Sequence, residues 1–442
     1  MKEMNKNILL VSTNGKLTNG ASQCVLMIAN EMKKRGINMV VATPPGPLGE
    51  ELKKNGITVE PLHQYVTMWF KYTKFTFDKK WKSIAVKLYT AHMYKKPIHN
   101  IAESFAVNHV NRRMKEIIKK HNIDLVHINA ITSGLPALVP FEMGIPVVWH
   151  IREFHSLDLN HEFVNEKRSY KMLNKADVVV AVSDVVKNFF QPHFKKEIIR
   201  IYDGVDIEKF YCERDILNDD VIKIVMAGRI HPNKRQAVLV KAVNMLAKSG
   251  VKVIADIYGK TDDINYENKI KSYIERNGLS DIVQFKGHVD NVNKAISEYD
   301  VLCMCSTSEA FGLTTVEGML SGALVVGSDS KTAATSELIK DGETGLLYNE
   351  EEGAKSLFEA FKKIADDRES MKKIALEGQK YAYNTFNIDE NINKNFVITV
   401  RVESETPKQD LKGVYQDWYI TKPGYSLEDI PFFTQVKGGR KP

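Results

Sequence analysis

Residues 301–318, Val-Leu-Cys-Met-Cys-Ser-Thr-Ser-Glu-Ala-Phe-Gly-Leu-Thr-Thr-Val-Glu-Gly, decide the fold class of this chain. The stretch begins with an apolar run, passes through a short polar loop that contains Glu309 and Gly312, and continues into a predicted helix. An apolar strand that is followed by a loop and a helix is the repeating unit of an α/β protein.

The same alternation of strand and helix runs outward from this stretch in both directions, and it restarts once. Gly36 is placed to end a helix at about 22–35, and a second helix is predicted at 236–248. The predicted strands are continuous apolar runs, as expected for strands buried on both faces of a parallel sheet. They lie at 8–12, 39–43, 125–128, 147–150, 178–182 and 198–201, and then at 222–227, 253–257, 282–285, 301–305, 323–327 and 345–347.

Two series of strands predict two doubly wound, Rossmann-like domains with parallel sheets. We place the first domain at residues 1–210 and the second at 211–380. Residues 63–100 interrupt the first domain as a basic, aromatic insertion, and residues 401–442 form a tail that fits neither domain.

The composition is that of a globular protein, with 43% hydrophobic and 26% charged residues in 442. The cysteines Cys24, Cys212, Cys303 and Cys305 are too few for a disulfide framework and lack a zinc-ligand spacing, so we predict reduced thiols. We expect no secretory signal and no membrane span, and therefore a cytoplasmic protein.

Two acidic residues flank the helix start in the opening stretch. Ligands of open α/β sheets bind beyond the carboxyl ends of strands, which places Glu309 at a binding edge. Glu317 is either a ligand-binding residue or the end of a capping box in which Thr314 is the cap. Gly312 and the N–H groups of Leu313–Thr315 suit a diphosphate at the positive end of the helix.

Further candidates follow other predicted strands. Arg229 and Lys234 could hold a leaving diphosphate, although a solvated loop would explain them as well. His150 is either a site residue or a structural histidine. The first loop, which includes Gly20, contains neither G-x-G-x-x-G nor a Walker sequence, which argues against dinucleotide binding and ATP hydrolysis. The sequence contains no Asp-x-Asp, so we expect no metal.

Positive charge is concentrated at residues 61–120, which hold thirteen Lys or Arg and three Asp or Glu in a chain of net charge +7. Trp69, Lys71, Lys74 and Trp81 mix aromatic and basic side chains, as interfacial membrane elements do. We therefore predict contact with an anionic membrane. An ordinary segment whose aromatic side chains pack inward is the alternative, and nucleic acid is not an expected partner.

Taken together, these motifs resemble those of the family 4 retaining glycosyltransferases with GT-B architecture, the group 1 transferases of bacterial polysaccharide synthesis. The resemblance covers about residues 7–395. Glu309 and Glu317 match the E-x7-E pair of the family, and Arg229 and Lys234 match its Gly-Arg-x4-Lys signature. His150 matches a histidine that follows a strand of the first domain.

The resemblance implies a GT-B fold, with two Rossmann-like sheets that face across a cleft and a helix at 381–400 that returns to the first domain. It implies that the catalytic residues are His150, Arg229, Lys234 and Glu309. The implied donor-binding residues are Gly20, His288, Phe311, Gly312, Leu313, Thr314, Thr315 and Glu317. Arg152 and Glu153, in the His-x-Arg-Glu variant of the motif, join Trp69, Lys71, Lys74 and Trp81 on the acceptor and membrane side.

The implied reaction is a retaining, metal-independent transfer of a hexosyl group. A nucleotide sugar, with UDP favoured, is the expected donor, and no cofactor is needed. The acceptor is a glycan, expected to be lipid-linked at the inner face of the cell membrane, in the synthesis of cell-surface polysaccharide or glycoconjugate. Two alternatives stay open: a sugar-nucleotide epimerase on the same fold, and a non-catalytic transferase-like subunit or protein glycosylation partner.

Overall fold

The computed structural model describes residues 6–17, 20–72, 96–289 and 292–388. The first half of the chain supplies nine strands within these ranges. They are β1 Asn7–Val11, β2 Asn38–Thr43, β3 Thr58–Pro61, β4 Phe70–Tyr72, β5 Leu125–Ile128, β6 Val147–Ile151, β7 His161–Phe163, β8 Val178–Ala181 and β9 Ile199–Arg200. Seven of them form a parallel sheet in the order β3-β2-β1-β5-β6-β8-β9, while β4 and β7 pair antiparallel.

Helices cover both faces of this first sheet. They are α1 Gly20–Lys34, α2 Pro47–Lys54, α3 Val66–Trp69, α4 Lys96–His121, α5 Leu138–Met143, α6 Glu166–Leu173, α7 Asp184–Phe190 and α8 Ile207–Phe210. Leu9 and Val11 of β1 join one apolar cluster, and Ile8 and Leu10 join another, because successive side chains of a strand point to opposite faces. This double burial explains why the strands read as continuous apolar runs.

The second half of the chain forms a second parallel sheet of six strands. They are β10 Ile222–Ala227, β11 Val253–Tyr258, β12 Val283–Gly287, β13 Val301–Met304, β14 Leu324–Ser328 and β15 Leu346–Tyr348. Its helices are α9 Gln236–Lys248, α10 Ile264–Arg276, α11 Val292–Ile296, α12 Leu313–Leu320, α13 Thr335–Leu338, α14 Ala354–Asp366 and α15 Arg368–Thr385. The strand order is β12-β11-β10-β13-β14-β15.

Both sheets wind in two directions from a central strand. The direction reverses between β1 and β5 in the first domain and between β10 and β13 in the second. At such a reversal the loops leave the sheet on opposite sides and open a crevice beyond the carboxyl ends of the strands, where ligands of α/β proteins bind. The predicted fold class, two doubly wound parallel α/β domains, is confirmed.

The chain passes between the domains at two neighbouring places. One crossing lies between β9 and β10. At the other, α15 ends at Thr385 and the Val205 N–H donates a hydrogen bond of 2.8 Å to the Phe386 carbonyl oxygen. On the same side, the Glu337 carboxylate of the second domain accepts hydrogen bonds from the N–H groups of Asp184 (2.9 Å) and Val185 (2.8 Å) at the start of α7. Residues 389–400 of the predicted returning helix, and the whole tail at 401–442, lie outside the described residues.

The basic insertion at 63–100 begins inside the core of the first domain. The Trp69 indole is buried, its Nε1 donates to the Ile131 carbonyl oxygen at 3.1 Å, and its ring packs edge-on against Phe163. The membrane contact expected for Trp69 is therefore wrong, because the ring fills an internal space against the backbone of Gly134. Lys71 of β4 is partly exposed and forms an ion pair of 3.0 Å with Glu162 of β7. Lys74 and Trp81 lie outside the described residues.

None of the helices in the described ranges combines the length and the apolar character that crossing a bilayer requires.

Candidate active site between the domains

An ion pair lies at the reversal point of the second sheet. Lys234 follows β10 on a short turn at Pro232–Lys234, and Glu309 follows the neighbouring strand β13. The Lys234 ammonium contacts the Glu309 carboxylate, and both side chains keep about a fifth of their surface exposed, at 21% and 19%. A lysine and a carboxylate are thus held together where the crevice of this domain opens.

Backbone hydrogen bonds fix Glu309 at this position. Its N–H donates to the Thr332 carbonyl oxygen at 3.0 Å, and its own carbonyl oxygen accepts from the Ala334 N–H at 2.8 Å. The Ser306 hydroxyl donates to the Glu309 carboxylate at 3.2 Å. The carboxylate is therefore oriented before any ligand arrives, which is what preorganised electrostatic stabilisation requires.

The helix α12 that follows begins differently from the prediction. Gly312 is the N-cap residue, with φ of +84°, and no side chain caps the helix. The Thr315 N–H donates to the Gly312 carbonyl oxygen at 2.8 Å. The capping-box alternative, with Thr314 as the cap and Glu317 as its partner, is therefore excluded, because the helix begins at Leu313, one residue before Thr314, directly after the left-handed Gly312.

Glu317 is left without a capping role and lies partly buried on α12. Burial raises the pKa of its carboxyl to about 7, and the nearby charge of Lys209 acts in the opposite direction. A carboxyl group in this environment keeps little contact with water and is suited to accept hydrogen bonds from a bound ligand.

Three of the predicted site residues have surroundings that do not include the Lys234–Glu309 ion pair. Phe311 is buried in an aromatic cluster with Tyr202 and Phe386, at ring-centroid distances of 5.8 and 6.0 Å, so its ring packs inside the protein. Arg229 is more than half exposed and pairs with Asp262 at 2.6 Å. His288 is exposed just beyond the end of β12.

The remaining predicted donor residues surround the start of α12. Leu313 and Thr314 are partly buried, and Thr315 is fully buried, with a hydroxyl that has no hydrogen-bond partner in the described part of the chain. Gly20, the first residue of α1, faces this helix from the other domain. A Cβ atom added to Gly20 would lie 3.4 Å from the Leu313 side chain. The two domains thus approach one another at the start of α12.

His150 and Arg152 lie inside the first domain and not on the surface of the cleft. The His150 ring has no exposed surface, and it stacks on His127 with a centroid distance of 5.7 Å. Arg152 Nη2 donates to His150 Nδ1 at 3.1 Å, which places the ring proton on Nε2. Arg152 also pairs with Asp203 and donates to Asn129 Oδ1 at 2.8 Å.

Burial, followed by the charge of Arg152, lowers the pKa of His150 well below its usual value. For the same reasons the pKa of His127 falls to about 3, so both rings are neutral at physiological pH. The sugar contact expected for His150 and the acceptor or membrane contact expected for Arg152 are therefore not met. The Arg152 side chain links His150, Asp203 and Asn129 inside the first domain.

A second polar cluster lies at the reversal point of the first sheet. Thr13 follows β1, Thr132 and Ser133 follow β5, and Glu153 follows β6. The Thr13 hydroxyl lies 2.8 Å from that of Ser133 and 3.3 Å from that of Thr132. Glu153 Oε1 accepts from the Thr132 hydroxyl at 3.1 Å and, more weakly, from the Thr132 N–H at 3.4 Å. Of these residues only Glu153 was predicted from the sequence, although the hydroxyl residues also follow the carboxyl ends of strands.

Direct contacts cross from one domain to the other close to these clusters. The Ser308 hydroxyl donates to the Asp158 carboxylate, and Asn233 Nδ2 donates to the Leu157 carbonyl oxygen at 2.8 Å. Burial raises the pKa of Asp158, and the Ser308 hydrogen bond opposes this effect. No sequence motif marked Asp158, because it lies in an irregular loop and its partner is distant in the chain.

The arrangement places one fixed cation, a helix start and two carboxyl groups on one side of the cleft, and hydroxyls with a further carboxyl group on the other. Such a site can hold an anionic group near Lys234 and the start of α12. It can also hold a ligand with several hydroxyl groups between the carboxylates, which accept hydrogen bonds.

Comparisons with known proteins place the chain among glycosyltransferases. The profile of the family described as Glycosyltransferase Family 4 matches residues 18–209, and that of Glycosyl transferases group 1 matches residues 212–381. An uncharacterized glycosyltransferase of Methanocaldococcus jannaschii is 26% identical over 61% of this chain and 73% of its own length.

Two relatives with described activities are matched over a smaller share of their length. The phosphatidyl-myo-inositol mannosyltransferase of Mycolicibacterium smegmatis is 28% identical, over 54% of this chain and 61% of that protein. The GtfA subunit of the UDP-N-acetylglucosamine–peptide N-acetylglucosaminyltransferase of Streptococcus pneumoniae is 27% identical, over 46% and 41%. The chain thus covers less than two thirds of either relative.

Solved structures share the fold. Anabaena HepE in complex with UDP and glucose superposes with a TM-score of 0.67 at 19% identity, over 90% of this chain and all of that one. The sucrose-phosphate synthase of Thermosynechococcus elongatus gives a TM-score of 0.66 at 15% identity, over 91% of this chain and all of that one.

Proposed function

Because the chain belongs to the family 4 glycosyltransferases with GT-B architecture, we propose that it transfers a hexosyl group from a UDP-sugar to a glycan acceptor with retention at the anomeric carbon. The observation that carries the proposal is the Lys234–Glu309 ion pair at the reversal point of the second sheet, beside the start of α12. UDP is favoured because it is bound in the Anabaena HepE structure, which has the same fold.

In this proposal the diphosphate lies between Lys234 and the N–H groups at the start of α12. The lysine and the helix end neutralise negative charge as the nucleotide leaves, a role that a metal ion performs in other transferases. Arg229 joins them by exchanging Asp262 for a phosphate, which its half-exposed side chain permits. The reaction is therefore proposed to proceed without a metal.

Glu309 and Glu317 are proposed to hold hydroxyl groups of the donor. Glu309 is fixed next to the lysine, so it lies close to the sugar and can stabilise positive charge at the anomeric carbon. Glu317, in the second turn of α12, is proposed to bind the ribose hydroxyls. Removing one preorganised group of this kind typically lowers the rate by about 10²–10³.

Product analysis with purified protein tests this function. We would incubate UDP-, GDP- and ADP-sugars with the enzyme in buffer containing a chelator, measure nucleotide release, and determine the anomeric configuration of the new bond by NMR. We expect release from a UDP-sugar, an axial product from an axial donor, and at least a 100-fold lower rate for Glu309→Gln. The exposed Glu343→Gln on the same domain is the matched control.

Three results would contradict the proposal. An altered nucleotide sugar without free UDP would show an epimerase. Loss of activity in the presence of the chelator would show that the reaction requires a metal ion. No turnover of any nucleotide sugar, together with unchanged melting temperatures in their presence, would indicate a non-catalytic subunit.

We further propose that the first domain contacts an anionic membrane through one face of α4, where a lipid-linked acceptor would be found. Ile101 and Phe105 on this face are 74% and 65% exposed, which is unusual for large apolar side chains. Arg112, Lys115 and Lys119 are exposed on the same helix. Apolar side chains beside exposed basic ones are the features by which peripheral helices bind anionic lipid.

Co-sedimentation with vesicles tests the membrane contact. We expect binding to mixed phosphatidylcholine–phosphatidylglycerol vesicles, weak binding to pure phosphatidylcholine, and loss of binding in the double variant Ile101→Ser/Phe105→Ser. Leu376→Ser, which removes a half-exposed apolar side chain from the second domain, is the control. Equal binding of the double variant and the control to the mixed vesicles would exclude this surface.

A further inference from the structure

Two of the four cysteines lie side by side at the carboxyl end of β13, close to the candidate active site. All four are free thiols. Cys303 is the third residue of β13, and Cys305 follows its last residue, Met304. Alternate side chains of a strand point to the same face, and the two sulfur atoms lie 3.4 Å apart. Both side chains are fully buried. The sheet thus brings together two groups that can form a covalent bond.

The two thiols have different surroundings. The hydrogen bond from Cys303 lowers the pKa of Cys305, and burial opposes this effect. The charge of Arg235 and the N–H of Leu239, near the start of α9, lower it further. Burial raises the pKa of Cys303. A helix start and an arginine are surroundings that favour a reactive thiolate, so Cys305 is the nucleophile of the pair and Cys303 keeps its proton.

Cys24 shows the behaviour of a buried thiol in other surroundings. Its thiol donates a hydrogen bond of 3.2 Å to the Asp203 carboxylate. Burial, followed by the charge of Asp203, raises the pKa of Cys24 well above its usual value. A buried thiol that stays protonated reacts slowly with oxidants. Cys24 is therefore an internal reference for the chemistry of the pair.

The backbone at Cys305 leads directly into the loop that orients Glu309. Ser306, the next residue, donates to the Glu309 carboxylate at 3.2 Å, and its carbonyl oxygen accepts from the Ser328 hydroxyl at 2.8 Å. The S–S bond of a disulfide is about 2.05 Å long, so the two sulfur atoms would have to approach by roughly 1.4 Å.

The strand geometry determines which part of the chain moves. Cα atoms two residues apart in a strand are about 6.6 Å apart, which is at the upper limit for disulfides. The ladder between β13 and β14 ends at Met304, so Cys303 is held and Cys305 is not. A bond between the sulfur atoms therefore draws Cys305 back, and Ser306 moves with it.

We propose that Cys303 and Cys305 form a redox-sensitive pair, in which a hydroperoxide converts the two thiols to a disulfide and the disulfide lowers transfer by displacing Ser306 and Glu309. The effect on transfer rests on the function proposed above, whereas formation of the disulfide does not. The oxidant has to be small because both thiols are buried.

The reaction has two steps. The Cys305 thiolate attacks one oxygen of hydrogen peroxide; an S–O bond forms, the O–O bond breaks, and the hydroxide that leaves takes up a proton to become water. The sulfur of Cys303 then attacks that of Cys305; the S–S bond forms, the S–O bond breaks, and the second oxygen leaves as water with the Cys303 proton. Two thiols are oxidised, and one peroxide is reduced to two molecules of water.

Mass spectrometry of the full chain tests the disulfide. We would treat the protein with hydrogen peroxide, remove the excess with catalase, alkylate the free thiols and digest with trypsin. The peptide of residues 295–331 contains both cysteines and no other. We expect it to lose two hydrogen atoms and to carry no alkyl group, and dithiothreitol should reverse both changes. Transfer should fall at least about tenfold and recover with the thiols, because a misplacement of about 1 Å can cost about 10²-fold in rate.

Matched cysteine variants identify the groups that react. Cys303→Ala should stop at the sulfenic acid on Cys305, which dimedone traps, and Cys305→Ala should leave the peptide unoxidised. Cys24→Ala and Cys212→Ser, which remove a buried and a partly exposed thiol elsewhere, should still form the disulfide. Should neither alanine variant of the pair fold, the mass of the wild-type peptide and its return with dithiothreitol decide whether the disulfide forms.

The outcomes separate this proposal from the proposed function. A peptide that keeps both thiols under conditions that oxidise Cys212, or that gains only sulfinic acid, would overturn the redox-sensitive pair. A disulfide with unchanged transfer, or equal inactivation of Cys305→Ala, would overturn its effect on the site. Failure of the untreated protein to use any nucleotide sugar would overturn the transferase function, while the mass of the peptide would still report on the pair.

Discussion

The Ser308 hydroxyl donates a hydrogen bond to the Asp158 carboxylate across 150 positions of sequence and across the cleft between the domains. Ser308 immediately precedes Glu309, so the loop that orients the Glu309 carboxylate is attached to the first domain. A change in the relative position of the domains is therefore transmitted to Glu309 directly.

Ser308→Ala should weaken transfer while leaving each domain folded. Loss of the interdomain hydrogen bond, which would contribute about 1 kcal/mol, favours the open arrangement and should lower kcat about five- to tenfold. Steady-state transfer rates and small-angle scattering with and without UDP would measure this. Ser297→Ala, which removes a hydroxyl bonded only within its own domain, is the control; equal rates in the two variants would show that the Asp158 contact has no part in turnover.

The effects of substituting Lys234 and Glu309 on the free energy of unfolding should not add, because the two side chains form an ion pair. Lys234→Met and Glu309→Gln each leave a partly buried partner unpaired, so each should cost about 1 kcal/mol of unfolding free energy, and the double variant should regain part of it. Transfer should stay at least 100-fold below wild type in all three variants.

Chemical denaturation and donor turnover of the three variants provide the measurement. Stability costs that simply add would show that the two side chains do not interact in solution. Recovery of transfer in the double variant would show that neither side chain is needed for the reaction.

Glu317→Gln should become more stable than the wild type as the pH rises. The pKa of Glu317 is raised from 4.5 to about 7 in the folded protein, so folding favours the protonated form. This contribution is complete below the unfolded pKa and is lost as the pH rises through about 7. At about pH 8 the variant should gain roughly 3 kcal/mol relative to the wild type, while at about pH 4.5 the two should be nearly equal.

Melting temperatures across this pH range test the Glu317 prediction. UDP affinity should fall in the variant even where its stability rises, because the carboxylate is the proposed ribose ligand. A stability difference that does not change with pH would mean that the Glu317 carboxyl titrates near its ordinary pKa in the folded protein.

Trp69→Ala should destabilise the first domain by about 3–5 kcal/mol, because it removes a buried indole and opens a cavity against Gly134. Trp69→Phe should cost less but still lose the hydrogen bond to Ile131. Thermal unfolding would measure both, with Lys71→Ala on the neighbouring exposed position expected within about 0.5 kcal/mol of the wild type. Vesicle binding that falls in Trp69→Phe without loss of stability would place the ring at the membrane after all.

Elements with strong local signals could be predicted from the sequence. The bounds of β5, β10 and α9 match the predictions residue for residue, because each is a mainly apolar run or a regular helical period bounded by polar or helix-breaking residues. The family resemblance, drawn from ordered motifs, is confirmed. β3, by contrast, was missed: it is a short edge strand, Thr-Val-Glu-Pro, that lacks the apolar run of a central strand.

Features that depend on distant partners could not be predicted. The three-residue strands β4 and β7 are defined only by their pairing with each other. The helix start at Gly312 depends on a left-handed backbone angle, whereas the sequence offered an equally good cap at Thr314. His150 and Arg152 were expected at the cleft because they lie at the end of a strand. Arg152 instead pairs with Asp203, far along the chain, and donates a hydrogen bond to His150 inside the domain.

The hydrogen bond between Val205 and Phe386 brings the two covalent links between the domains side by side, and Glu337 anchors α7 close to them. Two adjacent tethers leave one domain free to rotate about a single axis but not to slide away. Displacement then grows with distance from that axis, so an arc of a few degrees could separate Gly20 from Leu313 while Val205 and Phe386 stay in contact. Opening of the cleft for exchange of substrate and product is then a hinge rotation about the two interdomain links.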